Sequence, residues 1–314
     1  MNLLASIYGC SVRARNALYD RGTLKPNALQ GPVISVGNLS VGGSGKTPFV
    51  ILLGRLLKAR GIPFDVLSRG YGRQTRGVAL IDASGTAPQF GDEPLLIARR
   101  LGVPVVVGEQ RFAAGKLAEQ KFGPQLHLLD DGFQHRELAR DFDIVLLTRE
   151  DAYDRLLPSG RLREPLSSLS RADAVVLPSG ASPSAFPVSG KLIWRVHRGI
   201  TLTNVPSQPV VFCGIARPQN FLLQLRTSGI QPVAEALYRD HHSYTAEDIR
   251  DLLQLREKSG ADGFITTEKD EINLGRYLAE LQPLTVIPVS MELLEAANAL
   301  DTMLRVVDER ELRP

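Results

Sequence analysis

The sequence predicts an α/β fold with a mainly parallel sheet, and three observations support that prediction. Short apolar runs lack the strict polar–apolar alternation of half-exposed strands, which indicates strands covered on both faces. Helical patterns separate several of these runs, as expected where helices connect parallel strands. The composition, 43% hydrophobic and 23% charged, is that of a folded chain and excludes a disordered segment, a coiled coil or a collagen-like fibre. The candidate strands lie at 33–36, 64–67, 103–107, 126–129, 144–147 and 174–177, and the candidate helices at 46–60, 95–101 and 113–121.

An amphipathic helix is predicted over residues 2–21, before the first strand. Leu3, Leu4, Ile7 and Leu18 fall on one face at helical spacing, and polar residues lie opposite. The apolar run is too short to span a bilayer, and it lacks the long apolar core and cleavage site of a signal peptide. Two interpretations remain open. The helix packs on its own domain, or it lies in a membrane interface with its arginines at anionic headgroups.

The net charge of +3 comes from 37 Lys and Arg against 34 Asp and Glu. Residues 1–30 contain four basic residues and one acidic residue, so the whole excess lies in that segment. So small an excess argues against a dedicated nucleic-acid binder, and we expect no nucleic acid among the partners. Two cysteines, Cys10 and Cys213, cannot build a disulfide framework and indicate a reducing compartment.

A second, smaller α/β pattern follows a stretch at 178–190 that is rich in Pro, Ser, Gly and Ala. Such a composition is typical of a loop or linker. The second pattern begins at 210–213 and closes with a helix over 292–306. We therefore predict three parts, which are an N-terminal helix segment at 1–30, a larger domain at 31–200 and a smaller α/β domain at 201–314.

The strongest signal is a glycine-rich stretch, SVGGSGKT at 40–47, directly after the first candidate strand. Its Gly-Lys-Thr ending opens a candidate helix and matches the P-loop of nucleotide-binding proteins, although a serine stands where the usual pattern has its first glycine. Glycines let the backbone wrap around phosphate oxygens, the lysine bridges the β- and γ-phosphates, and the threonine hydroxyl binds Mg²⁺. The stretch predicts a P-loop NTPase-type domain. The predicted nucleotide-binding residues are Ser40, Val41, Gly42, Gly43, Ser44, Gly45, Lys46 and Thr47.

A carboxylate partner for the P-loop metal is predicted where the apolar run 126–129 ends. Asp130 and Asp131 follow that run directly. In P-loop proteins an aspartate at the end of a second strand lies near Mg²⁺. The alternative is an ordinary turn, because an Asp-Asp-Gly sequence favours turns.

A missing motif narrows the class of P-loop protein. A GTPase is expected to show Asn-Lys-x-Asp, and the nearest stretch is TEKD at 267–270, where the lysine is misplaced. The second set of nucleotide or partner motifs expected of an ATP-driven motor is not found either. From the residues alone, a kinase, a P-loop nucleotide-dependent regulatory switch and a metallochaperone-like NTPase remain open.

Six stretches, in a fixed order, carry a more specific resemblance. They are ISVGNLSVGGSGKTP at 34–48, RGYGR at 69–73, GDEP at 91–94, DDGFQH at 130–135, GRLREP at 160–165 and TTEKD at 266–270. Together they resemble the tetraacyldisaccharide 4'-kinase (lipid A 4'-kinase) family, in which Ser or Thr also stands at the Ser40 position. The resemblance implies a lipid kinase. It would transfer a phosphoryl group from ATP to the 4'-hydroxyl of tetraacyldisaccharide 1-phosphate, giving lipid IVA in lipid A biosynthesis.

The resemblance assigns the acceptor side of the site to Asp92 and His241. A carboxylate near a sugar hydroxyl can accept its proton, and Asp92 matches that base. A histidine of the second domain orients the base, and His241 matches it, with His242 as the alternative. Without the resemblance, Gly-Asp-Glu-Pro is typical of a helix N-cap and the histidines of an exposed loop. The pair would place the active site between the two domains.

The resemblance also suggests Glu164 as a magnesium-binding or active-site acid, the alternative being a solvated charged loop. The predicted metal-binding residues are Thr47, Asp130, Asp131 and Glu164. Further candidates would contact substrate or the residues around the metal, and they are Arg69, Arg73, Glu93, Gln134, His135, Arg161 and Arg163.

The implied lipid substrate favours the membrane interpretation of the N-terminal helix. An enzyme that acts on a membrane-embedded glycolipid must reach the interface, and a basic amphipathic helix offers apolar insertion and attraction to anionic lipid. We therefore expect a peripheral protein on the cytoplasmic face of the inner membrane. Its expected partners are the membrane surface and tetraacyldisaccharide 1-phosphate, and it would use ATP with Mg²⁺.

Overall fold

The chain forms two sheets, one of nine strands and one of four, in a computed structural model that describes residues 3–312. The strands are β1 Val33–Asn38, β2 Phe64–Ser68, β3 Ala79–Leu80, β4 Val105–Val107, β5 Leu126–Asp130, β6 Phe142–Leu146, β7 Ala174–Pro178, β8 Leu192–Ile200, β9 Pro209–Cys213, β10 Ala234–Leu237, β11 Gly263–Thr267, β12 Leu284–Ile287 and β13 Val289–Leu293. The helices are α1 Leu3–Asp20, α2 Lys46–Ala59, α3 Ala87–Phe90, α4 Asp92–Leu101, α5 Arg111–Phe122, α6 Pro218–Thr227, α7 Ala246–Ser259, α8 Glu268–Leu274 and α9 Ala296–Glu311.

The larger sheet has the order β13-β8-β7-β6-β1-β5-β2-β4-β3. All neighbouring strands are parallel except the two edge pairs, β13 with β8 and β3 with β4. Every residue of β1, β2, β5 and β6 is buried, which explains why these strands appear in the sequence as continuous apolar runs. The predicted α/β fold with a mainly parallel sheet is therefore confirmed.

The order of the larger sheet brings the predicted phosphate and metal residues together. The central strand β1 lies between β5 and β6 and is parallel to both. The carboxyl ends of parallel strands meet at one edge of a sheet, and ligands of open α/β sheets bind in the crevice outside that edge. The loop after β1 and the acids that end β5 therefore lie side by side.

The smaller sheet has the order β10-β9-β11-β12, and all its strands are parallel. Apolar side chains of α7 pack on one face beside Phe212 and Phe264, and those of α6 pack on the other beside Ile265. The rings of Phe212 and Phe264 meet edge to face with centroids 6.0 Å apart. This unit is the predicted second, smaller α/β pattern.

The C-terminal segment returns to the larger sheet, which differs from the predicted division at residue 201. Strand β13 pairs with β8, and α9 buries Leu300 and Met303 in the same core as Ile34 of β1. The unit built on the smaller sheet thus extends only from β9 to β12. The amphipathic pattern of 292–306 predicts a helix correctly, but it carries no information about which sheet that helix covers.

The stretch at 178–190 connects β7 to β8, two neighbouring strands of the larger sheet. It is therefore a loop within one unit, not a link between units. Strand β8 then extends as one element from Leu192 to Ile200.

Helix α1 packs on the larger unit through polar contacts. The Tyr8 hydroxyl donates to the backbone oxygen of Arg163 at 2.9 Å, and the Asn16 amide donates to Glu164 at 2.8 Å. The side chains of Leu3 and Ile7 are 73% and 57% exposed. The helix therefore packs on its own domain and still presents an apolar face to the outside. Residue 2, part of the predicted helix, lies outside the described residues, and no helix within 3–312 is long and apolar enough to span a bilayer.

Candidate functional site

The phosphate loop joins β1 to α2 at the edge described above. Gly42, Gly43 and Gly45 have φ angles of 72°, 60° and 85°, a backbone that side-chain-bearing residues rarely adopt. Gly45 immediately precedes the first turn of α2, so the positive end of the helix faces the loop. The hydroxyls of Ser40 and Ser44 are buried without a hydrogen-bond partner among residues 3–312. The loop thus has the backbone shape and the spare polar atoms to hold phosphate oxygens.

Lys46 lies among groups that hold its ammonium beside the loop. Its Nζ donates to Asn38 Oδ1 at 3.1 Å and lies 3.5 Å from Asp131 Oδ1. Arg163 donates to both oxygens of the same Asp131 carboxylate, at 3.0 and 2.7 Å. Burial opposes ionisation of Asp131, but the charges of Lys46 and Arg163 outweigh it and hold the pKa of this carboxyl well below its usual range.

Asp130, the last residue of β5, differs from its neighbour. Its Oδ2 accepts a hydrogen bond from the Ser68 hydroxyl at 2.9 Å, whereas its Oδ1 is buried without a partner among residues 3–312. Burial, together with the charges of Glu93 and Asp131, raises the pKa of Asp130 to about 7. A buried carboxylate with one free oxygen at the end of a strand beside the P-loop is suited to ligate Mg²⁺. Within residues 3–312 no cluster of three or more His, Cys, Asp or Glu residues forms a metal site by itself.

The structure brings Asp92 and His241 into contact across the two units. His241 Nδ1 lies 3.0 and 2.8 Å from the two oxygens of Asp92, and the Asn273 amide donates to Asp92 at 3.1 Å. Asp92 is the first residue of α4 and is 4% exposed, while the residue that caps this helix is Gly91. Asp92 is therefore not the N-cap residue of α4, which is Gly91. Asp92 Oδ1 still accepts a hydrogen bond from the backbone N–H of Glu93 at 2.8 Å.

His242, the alternative partner, lies elsewhere. Its Nε2 is 3.1 Å from Asp248, and its ring stacks on Tyr238 with centroids 4.5 Å apart. His241 instead has a left-handed φ of 60°, and its ring contacts Asp92 of the larger unit. The left-handed backbone at this position separates the two neighbouring histidines.

Lys269 of α8 joins the pair and was not predicted as a site residue. Its ammonium lies 3.1 Å from His241 Nε2, 3.0 Å from Asp240, 3.4 Å from Glu93 and 3.8 Å from Asp92. Because an ammonium only donates, Nε2 accepts and the proton of the neutral imidazole is on Nδ1, facing Asp92.

The contact between Asp92 and His241 lowers the pKa of the carboxyl and raises that of the imidazole. Burial raises the pKa of Asp92, but the hydrogen bond from His241, the Lys269 charge and the Asn273 amide outweigh burial and lower it. Burial lowers the pKa of His241, but the hydrogen bond and charge of Asp92 outweigh burial and raise it. Asp92 is thus an ionised carboxylate at neutral pH, as a proton acceptor must be.

Glu164 is fully buried and bound by donors of the chain itself. Its carboxylate accepts from Arg171 at 3.0 and 3.3 Å and from Asn16 at 2.8 Å, and Arg15 lies 3.6 Å away. The predicted alternative of a solvated loop does not describe this side chain. Its neighbours join helix α1 to the larger unit and contact both carboxylate oxygens. The predicted metal-binding role is untested, and these contacts favour a structural role instead.

The remaining predicted residues fall into two groups. Gln134 donates to the backbone oxygen of Asn38 at 2.9 Å, and burial together with nearby arginines lowers the pKa of His135 to about 4. Gln134 therefore lies at the carboxyl end of β1 beside Arg163, which donates to the same backbone oxygen of Asn38. Arg73 instead pairs with Glu109 at 2.7 Å, and Arg161 pairs with Asp154 at 2.9 Å. Neither pair includes a predicted acid of the site, and Arg69 has no side-chain hydrogen bond within residues 3–312 that would place it there.

Sequence reasoning missed Asn38, Ser68, Lys269 and Asn273. Asn38 and Lys269 lie inside stretches that carry the family resemblance, so the signal was present but no role was attached to it. Ser68 ends β2, which is buried throughout, and Asn273 lies one helical turn after Lys269. Nothing in the local sequence distinguishes these two from structural residues.

Comparisons with known proteins indicate the family to which the chain belongs. The family model for tetraacyldisaccharide-1-P 4'-kinase matches residues 1–308. A tetraacyldisaccharide 4'-kinase of Koribacter versatilis is 50% identical over 99% of this chain and 100% of its own length. A relative of the same description from Geobacter metallireducens is 38% identical over 93% of each chain. The crystal structure of "apo" form LpxK from Aquifex aeolicus in complex with ATP matches with a TM-score of 0.79 and 35% identity, covering 97% of both chains.

Proposed function

Because the chain belongs to the tetraacyldisaccharide 4'-kinase family, we propose that its P-loop and the Asp92–His241 pair form one active site. The protein is a lipid kinase of lipid A biosynthesis that phosphorylates the 4'-hydroxyl of tetraacyldisaccharide 1-phosphate with ATP. The observation that carries the assignment of the site is the buried Asp92 carboxylate, which His241 reaches from the other unit.

Asp92 is the proposed proton acceptor. The 4'-oxygen attacks the γ-phosphorus of ATP, a bond forms between them, and the bond to the β,γ-bridging oxygen breaks to release ADP. The hydroxyl proton passes to the Asp92 carboxylate. His241 and Asn273 donate to that carboxylate and fix its orientation, and Lys46 balances the charge on the phosphates.

Thr47 and Asp130 are the proposed holders of Mg²⁺. The unpartnered Asp130 Oδ1 and the position of Thr47 in the first turn of α2 support this assignment. When bound, Mg²⁺ supplies positive charge to the phosphate oxygens. Asp131 is already paired with Lys46 and Arg163, so its proposed part is to hold those two cations in place.

The function is tested with purified protein, tetraacyldisaccharide 1-phosphate in detergent and ATP labelled in its γ-phosphate. We expect label in the lipid, dependent on ATP and on Mg²⁺. A regulatory switch would instead hydrolyse nucleotide without lipid or prefer GTP strongly. A folded protein that hydrolyses nucleotide and leaves the lipid unlabelled would overturn the kinase assignment.

Replacing Glu164 with glutamine is expected to destabilise the protein without changing its use of magnesium. The change removes the charge that Arg171 faces, and hydrogen bonds to charged groups contribute about 1.5–3 kcal/mol to stability. Chemical unfolding measures that loss, and activity against Mg²⁺ concentration measures the apparent metal affinity. A stable variant that needs much more Mg²⁺ would make Glu164 a metal ligand after all.

Replacing Lys269 with methionine is expected to raise the pKa of His241, because the lysine charge opposes protonation of the imidazole. In the native protein, the raised pKa of His241 gives a stabilisation that is full below about pH 6.5 and lost as pH rises through the folded value. The lowered pKa of Asp92 also stabilises the folded protein. That stabilisation is present above about pH 3.9 and is lost as pH falls through the lowered pKa. In Lys269→Met, the stabilisation from His241 should persist to a higher pH than in the native protein.

The measurement for Lys269→Met is the NMR titration of the imidazole protons, and His241→Gln assigns the signal. Glu257→Gln and Lys258→Met, at the exposed end of α7, serve as controls for charge changes on the smaller unit. An unchanged or lower His241 pKa in Lys269→Met would show that the lysine does not act on the imidazole.

We also propose that α1 lies in the membrane interface at the cytoplasmic face of the inner membrane. Its exposed apolar residues include Leu3 and Ile7, and the surrounding segment carries the net positive charge of the chain. Such a helix inserts its apolar face among lipid headgroups while its basic residues attract anionic lipid. The glycolipid substrate is embedded in that layer.

Ile7→Glu is expected to weaken binding to vesicles that contain anionic lipid by at least about 10-fold. Burying an isoleucine side chain contributes about 1.5–3 kcal/mol, and the added carboxylate is repelled by the same surface. Co-sedimentation with the vesicles measures the effect. The matched control is Leu223→Glu in α6, where the native side chain is 60% exposed. Equal binding of native protein and Ile7→Glu would exclude α1 from the interface.

A further inference from the structure

Two arginines from outside the P-loop lie directly against its glycines. A Cβ added at Gly43 would be 2.8 Å from Cγ and Cδ of Arg217, and one added at Gly45 would collide with the guanidinium of Arg198. Arg198 belongs to β8, close to the point where the chain leaves the larger sheet, and Arg217 directly precedes α6 of the smaller unit. Each of the two units thus places one arginine side chain against the same loop.

These cations are poorly compensated by the protein. Arg217 pairs with Glu150 at 3.2 Å, and that carboxylate is 59% exposed. The Arg198 side chain has no hydrogen bond or ion pair within residues 3–312. The Nε atoms of both arginines and one Nη of Arg217 are buried without acceptors in the described part of the chain. Burial and the charge of Arg217 lower the pKa of Arg198 to about 10.

The neighbours of the two arginines also carry positive charge. Gly45 precedes the N-terminus of α2, the end of a helix that favours anions, and Lys46 is the next residue. Partly buried cations with few acceptors are costly, and packing two of them on the positive end of a helix adds repulsion. A bound polyphosphate would remove both costs, because the planar guanidinium matches the geometry of phosphate oxygens.

We infer that Arg198 and Arg217, which lie against the glycines of the loop, bind the phosphate chain of ATP. The inference rests on the proposed use of the P-loop for ATP, and it adds two residues that no P-loop motif contains. Arg217 exchanges the exposed carboxylate of Glu150 for a phosphate oxygen. One consequence is that the nucleotide would contact both units, since Arg198 lies in β8 of the larger sheet and Arg217 precedes α6 of the smaller unit.

Arg198→Met and Arg217→Met test the inference by binding of a non-hydrolysable ATP analogue with Mg²⁺, measured by calorimetry. Loss of a charged hydrogen bond predicts at least about a 10-fold rise in Kd for each variant. Arg198→Lys keeps the positive charge but loses the planar, two-donor geometry of the guanidinium. Its Kd for the analogue should lie between those of the native protein and Arg198→Met. The control is Arg226→Met, which removes an arginine of α6 that pairs with Glu235 at the surface of the smaller unit.

Thermal unfolding distinguishes ligand binding from a structural role. Without nucleotide, the methionine variants should unfold at or above the native temperature, because an uncompensated cation has been removed. The rise in unfolding temperature caused by the analogue should shrink. Variants that unfold earlier but keep the full nucleotide-dependent rise, or that bind the analogue with native affinity, would overturn the inference. The assay contains no lipid, so failure to phosphorylate lipid would contradict the proposed function and leave this result standing.

Discussion

Asp92→Asn is expected to lower kcat by about 10²–10⁴-fold, the range that general base catalysis supplies. Asparagine keeps the size of the side chain and can still contact His241 and Asn273, but it cannot accept the proton of the 4'-hydroxyl. Asp92 is proposed to contact the lipid substrate and not ATP. The affinity for ATP should therefore stay within about two-fold of native, which is small because 1.4 kcal/mol corresponds to about ten-fold.

The control for Asp92→Asn is a second Asp–His pair in the same protein. Asp248 lies 3.1 Å from His242 at the start of α7, and nothing in the site depends on it. Asp248→Asn should leave kcat unchanged while removing a comparable contact. Turnover of labelled ATP into lipid measures both variants. A native kcat in folded Asp92→Asn would show that Asp92 is only a residue of the α4 terminus.

Lys46→Met is expected to lower kcat by about 10²–10³-fold and to weaken ATP binding as well. Removing one group that stabilises charge in a phosphoryl-transfer site has a cost of this order. The variant also leaves Asp131 with Arg163 as its remaining close cation partner, because Lys46 lies 3.5 Å from that carboxylate. The effect should therefore appear both in kcat and in the KM for ATP.

Lys58→Met is the matched control for Lys46→Met. Both lysines belong to α2, and the Lys58 ammonium donates to the backbone oxygen of Leu101 at 2.8 Å, at the far end of the helix. We expect native kinetics from this variant. If Lys46→Met also retained native kcat and ATP affinity, the loop would not be the nucleotide site.

The sequence predicts best what local chemistry determines. The P-loop combines a buried strand, glycines with left-handed backbone and a helix start within some fifteen residues, so its conformation follows from its own residues. Asp130 and Asp131 follow a buried run and could be placed by the same reasoning. Asp92 and His241 are 149 positions apart, and only the family resemblance connected them before the structure did.

The parts that sequence reasoning missed depend on long-range packing. Strand β13 is five residues long and mostly exposed, so its apolar pattern does not indicate that it joins β8 at the edge of the larger sheet. Lys269 and Asn273 follow ordinary helical spacing, and their roles arise because α8 faces Asp92 across the two units. Arg198 and Arg217 become notable only when their distances to the loop glycines are known.

The return of the chain to the larger sheet fixes how the smaller unit is attached. It is joined at two points, through residues 201–208 between β8 and β9 and through the single residue Pro288 between β12 and β13. A unit held at two points turns about the line that joins them, and proline, with its fixed φ, makes the shorter joint stiff. Any rotation of the smaller unit about that line would therefore move His241, Lys269 and Arg217 together. The partner of Asp92, the lysine beside it and the arginine proposed to bind phosphate would then approach or leave the larger unit at the same time.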